Sequence, residues 1–103
     1  MYVKICGIDT EASASVAIEA GADAIGVIMN QTSVRRLEFA AAARIVEAAN
    51  GAVDTALVTN DMPAIEAAQT AQRLGVTTLQ LHGSLYTQDD FTAALAIQPI
   101  VWR

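Results

Sequence analysis

Short β-rich runs alternate with helix-like stretches along the whole chain, and this alternation limits the fold more than any other feature. The runs are "YVKIC" (2–6), "AIGVIM" (24–29), "VDTALVT" (53–59), "VTTLQL" (76–81) and "PIVW" (99–102). All have strand length and β-branched residues. Between them lie the Ala-rich stretches "EASASVAIEAG" (11–21) and "EFAAAARIVEAAN" (38–50), then a third stretch ending at Gly75 and a fourth running from Thr87 to about Ile97. Asp9 or Thr10 suits the first N-cap and Asp61 the third, with Pro63 near the first turn of that helix. Gly21, Asn50-Gly51 and Gly75 read as stops. The segments "EAGADAIGVI" and "RLGVTTLQLH" repeat one pattern of helix end, glycine, short link and strand. Strands alternating with helices of this length form βαβ units and a parallel sheet. Right-handed crossovers allow either a curled, barrel-like sheet or a doubly wound one, and periodicity does not choose between them.

Composition narrows the function classes. Hydrophobic residues make up 53% of the 103 and charged residues 17%, which excludes a disordered chain. The net charge is −5 and Arg35-Arg36 is the only basic pair, which argues against a nucleic-acid partner. No apolar run approaches the roughly 20 residues of a membrane span, and the N-terminus lacks signal-peptide character. A lone cysteine fits a reducing cytoplasm and gives no ligand cluster for structural zinc.

In a parallel α/β fold, chemistry gathers at the C-terminal strand ends. Cys6 closes the first strand, and the "NQTSVRRL" loop (30–37) follows the second. Thr59, Asn60 and Asp61 follow the third, and His82 the fourth. Gly7 and Gly83 stand directly after Cys6 and His82, leaving room for a ligand or another backbone. Each residue also has a plain structural reading. A lone cysteine is often a small buried hydrophobe, a histidine can simply end a strand, paired arginines are often solvated, and Asn-Asp makes turns. Coincidence seldom puts a thiol, an imidazole and a guanidinium at the same end of successive strands.

"KICGI", "AGADAIGVI", the Ser-x-Arg loop and "LQLHG" together resemble phosphoribosylanthranilate isomerase of tryptophan biosynthesis, over essentially the whole chain. The resemblance implies an α/β fold built as a TIM-type (β/α)8 barrel. It also implies an Amadori rearrangement of N-(5-phosphoribosyl)anthranilate from aminoaldose to aminoketose, with neither metal nor cofactor. By the same resemblance Cys6 is the general base. Arg35, with Arg36 as its rival, holds the anthranilate group, and Gly7 and His82 line the substrate site. A thiolate can take the proton next to the Schiff-base carbon, and Lys4, two residues earlier on the same strand face, would favour the anion. An arginine presents a planar fork to a carboxylate.

The chain departs from the family pattern in three places. The family's Ser-Pro-Arg-aromatic loop reads Ser33-Val34-Arg35-Arg36 here, and Val58 stands where an aromatic is usual. The third departure is length, because a (β/α)8 barrel takes roughly 200–250 residues. Residues 1–103 are expected to form about the first half, four βα units and the start of a fifth strand, with no internal domain boundary. The resemblance places the general acid, an aspartate, and the phosphate site on later strands. The remaining parts would then come from missing C-terminal chain, a second polypeptide or self-association. As rival readings, the chain is a non-catalytic half-barrel scaffold or assembly module, or a related ribulose-phosphate-type barrel. An isolated half-barrel would expose two sheet edges and, on its inner face, an open apolar surface.

Overall fold

The computed structural model describes residues 1–29, 37–49 and 51–102. In chain order the elements are β1 (Lys4–Ile5), α1 (Glu11–Glu19), β2 (Ala24–Ile28), α2 (Phe39–Ala49), β3 (Asp54–Thr59), α3 (Ala64–Leu74), β4 (Thr78–Leu81), α4 (Gln88–Leu95) and β5 (Val101–Trp102). The strands form one parallel sheet in the order β1-β2-β3-β4-β5. Every expected element is present. Strand order follows chain order, so the winding never reverses, and this selects the barrel-type sheet that periodicity left open.

The two edge strands are shorter than their apolar runs because each has a partner on one side only. Pairing nevertheless continues beyond β1. Val3 O accepts from the amides of Asp23 and Ala24, and Ile8 N donates to Gly26 O at 3.0 Å. Thr10 caps α1, its side chain accepting from Ser13 N. Thr87 caps α4 in a reciprocal capping box with Asp90. The expectation of an Asp61 cap on α3 is wrong. Pro63 occupies the N-cap position and no side chain caps the helix there. The preceding turn is held instead by Thr59, whose Oγ1 accepts from Met62 N at 3.3 Å. Proline suits this site, since its preset φ leads into a helix and its missing N–H would lack an intrahelical partner.

Strand side chains alternate between two faces. Ile25, Val27, Leu57, Leu79 and Leu81 belong to the core shared with the helices. The helices meet them largely with alanines, such as Ala14, Ala17, Ala42, Ala49, Ala67, Ala68 and Ala71, all of them buried. Small helix faces let backbones lie close to the sheet, so a thin chain still builds a dry core.

The opposite face is concave. Along a flat sheet β1 and β5 would stand about 19 Å apart, four strand spacings of about 4.8 Å. Yet the rings of Tyr2, just before β1, and Trp102 on β5 meet edge to face with centroids 6.1 Å apart. Lys4 Nζ of β1 likewise donates to Gln80 Oε1 of β4. Only a curled sheet permits both contacts. Ala24, Ala56, Val58 and Thr78, on this face by alternation, are 0–6% exposed. The expectation of an open apolar inner surface is therefore corrected. Small residues and the curl narrow the hollow, and long side chains reaching over from the edges cover what remains.

Candidate functional site

The C-terminal ends of β1 to β4 define the rim of this hollow. Cys6 follows β1 and is exposed, which removes its reading as a buried hydrophobe. It sits between two fixed points, the Ile5–Ile25 register pair and the bond from Ile8 N to Gly26 O. Gly7, between them, takes φ 80°, a left-handed value that lets the chain turn off the strand without steric cost. The buried side chain of Ile8 holds the far side of the turn. The thiol lies against Gly26 of β2. A Cβ built on Gly26 would stand 3.2 Å from Cys6 Sγ and 3.4 Å from Val58 Cγ2. Val58, where the family pattern has an aromatic, thus flanks the same glycine as the thiol.

His82 follows β4 and is exposed, its backbone amide donating to Thr59 O at 2.9 Å. That bond carries β3–β4 pairing to the rim and sets His82 two residues beyond Gln80 on the concave side. Gly83 then turns away at φ 102°. Cys6 and His82 therefore share one rim, separated by the widths of β2 and β3. Lys4 is drawn across the hollow to Gln80, so the contact shown for its ammonium is with that amide. Tyr86, just beyond the rim, donates to Met62 O at 2.7 Å, and burial pushes its phenol above the usual range.

Arg35 and Arg36 lie outside the described residues. The chain on either side is anchored: Met29 N donates to Val58 O at 3.1 Å, and Leu37 N to Ile28 O at 2.8 Å. Among the described residues no group of three or more His, Cys, Asp or Glu side chains is placed to hold a metal ion. No helix among them is long and apolar enough to cross a membrane.

Two contributors to this hollow were missed in the sequence. Gln80 carried a signal, a polar residue alternating with leucines in "LQL" and on the same face as His82. Gly26 carried another, a glycine inside a strand, which often marks close approach by a neighbouring group.

Comparison with known proteins agrees with this geometry. Residues 3–102 match the family model for N-(5'-phosphoribosyl)anthranilate (PRA) isomerase. The chain is 35% identical over 81 residues to N-(5'-phosphoribosyl)anthranilate isomerase of Rhodopseudomonas palustris, covering 79% of this chain and 37% of the relative. The crystal structure of TrpF from Jonesia denitrificans superposes with a TM-score of 0.94 at 37% identity, over 100% of this chain and 50% of that one. A phosphoribosyl anthranilate isomerase in complex with reduced 1-(o-carboxyphenylamino)-1-deoxyribulose 5-phosphate gives a TM-score of 0.85 at 28% identity, over 98% and 51%. The chain thus spans well under half of the curated relative and about half of these solved structures. A parallel sheet wound in chain order, an exposed strand-one thiol and a family match over nearly every residue converge on one conclusion: this chain belongs to the N-(5'-phosphoribosyl)anthranilate isomerase family.

Proposed function

We propose that the chain supplies the base-bearing half of a phosphoribosylanthranilate isomerase acting in the cytoplasm. The observation carrying this reading is the exposed Cys6 thiol at the end of β1, in a chain that matches the family from residue 3 to residue 102. Residues 1–103 act as one unit, the first half of a (β/α)8 barrel. The substrate is N-(5'-phosphoribosyl)anthranilate, a choice supported by the related structure that holds a reduced product-like phosphate ester.

The reaction begins as the anthranilate nitrogen pushes open the furanose ring. The bond from the anomeric carbon to the ring oxygen breaks, and an acid delivers a proton to that oxygen. Cys6, as thiolate, then removes the proton from the neighbouring carbon. Those bonding electrons shift to give an enolamine, which tautomerises to the aminoketose. No redox partner enters, because the oxidation level moves between adjacent carbons of one molecule. The acid and the phosphate cradle come from the other half of the barrel. The edge of β1 suits that docking, since Val3, Ile5 and Val16 are exposed apolar residues beside it.

Loss of substrate in the protein that carries this chain, followed by anthranilate fluorescence, tests the reading. Turnover is the expected result, and a folded protein without turnover would favour the scaffold reading. Arg35→Lys should raise KM about 10-fold, because lysine keeps the charge and loses the bidentate fork. Arg36→Lys should change KM by less than about 2-fold, since in this reading Arg35 holds the substrate carboxylate. The opposite pattern would move the anthranilate contact to Arg36.

A further inference from the structure

Gly26 is the one glycine whose presence backbone conformation does not explain. The chain has six glycines, and five of them (Gly7, Gly21, Gly51, Gly75 and Gly83) take positive φ. Gly26 instead sits inside β2, paired with Ala56 in ordinary parallel register. Glycine in a strand interior is destabilising relative to alanine, since it loses more conformational freedom on folding. The local contacts supply a reason for keeping it. Of the three heavy atoms nearest to a Cβ built there, two belong to Cys6: Sγ at 3.2 Å and Cα at 3.5 Å. The third is Val58 Cγ2 at 3.4 Å. The same glycine fixes the backbone beyond the thiol, its carbonyl accepting from Ile8 N at 3.0 Å.

We propose that Gly26 is a positioning residue for the Cys6 thiol: its carbonyl pins the turn that carries the cysteine, and its missing side chain forms the recess in which Sγ rests. The proposal rests on the reading of Cys6 as the base and adds what sets the position of that base. A methyl group at residue 26 meets the free end of a side chain, so the thiol yields before the backbone does. Sγ is pushed by a few tenths of an ångström or turned to another rotamer, away from the sheet and towards solvent. Proton transfer is sensitive to displacement on this scale, because the base must reach hydrogen-bonding distance of the carbon-bound proton.

The test is Gly26→Ala in the protein that carries this chain, read three ways. The expected results are a kcat at least about 10-fold lower, with KM within about 2-fold. Cys6 alkylation by iodoacetamide, resolved by peptide mass, should become at least about 3-fold faster as the thiol leaves its recess. In a thermal melt, any destabilisation by Gly26→Ala should disappear in a Cys6→Ala background, where Sγ is gone. Unchanged kcat, or alkylation that is unchanged or slower, overturns the proposal. So does a loss of folding that persists without Sγ, which would make Gly26 a packing residue. If Cys6→Ser keeps full turnover, the base reading falls, while alkylation and the double-mutant melt still decide whether Gly26 places the thiol.

Discussion

Cys6→Ser in the protein that carries this chain is expected to lower kcat at least about 100-fold, the usual scale of general-base catalysis. Serine preserves shape and hydrogen bonding, but an alcohol gives up its proton far less readily than a thiol, so no competent base forms near neutrality. KM should change little, since the proton is taken in the transition state and substrate is held by other groups. The exposed site predicts no large change in stability. Steady-state kinetics beside a urea melt checks both parts. Near-normal turnover by the folded variant would remove Cys6 from the chemistry and leave it only as a neighbour of Gly26.

The largest expected stability effect lies on the other face of the sheet. Leu57 is fully buried and pairs in register with Val27 on one side and Leu79 on the other, at the centre of the apolar layer beneath the helices. Leu57→Ala removes about 2–5 kcal/mol, the loss of apolar burial plus the cavity left behind. The alanine-lined helices have little side chain with which to fill that cavity. A urea titration should show a lower midpoint at unchanged slope. Ile65→Ala is the control: that side chain is 53% exposed on α3, away from the β1 edge, and the change should stay within about 0.5 kcal/mol. A Leu57→Ala midpoint equal to the parent's would mean that the layer is less tightly packed than its burial indicates.

Local chemistry explains why so much of this fold was legible in the chain. Strands announced themselves by β-branched runs, and helices by alanine between a cap such as Thr87 and a stop such as Gly75. The rim cluster was legible because strand ends and turn glycines are local features too. What escaped was pairwise and distant. Lys4 and Gln80 are 76 residues apart, and only the curl of the sheet joins them. Lys4 was expected beside Cys6 because period-two alternation fixes the face of a side chain, not the direction in which a four-carbon stem reaches. Asp61 looked like a cap because carboxylates suit that role, yet Thr59 and Pro63 already defined the turn. Gly26 was passed over, since its meaning depends on an atom supplied by β1. The Arg35 or Arg36 assignment rests on the family pattern, and the two lysine variants decide it.

The Tyr2–Trp102 contact has a mechanical consequence. A ring from one margin of the sheet touching a ring from the other acts as a tie-rod across an arch. Curvature is then stored in this stretch of chain and need not be imposed by whatever completes the ring of strands. A completing half would meet a template already bent to radius, so little of its binding free energy would go into bending the sheet. The strands of an incoming half would pair with the free edges of β1 and β5, so the rod can stay in place inside the closed ring. Assembly would thus add an external brace to an internal one, with Trp102 standing on the edge strand where the two meet.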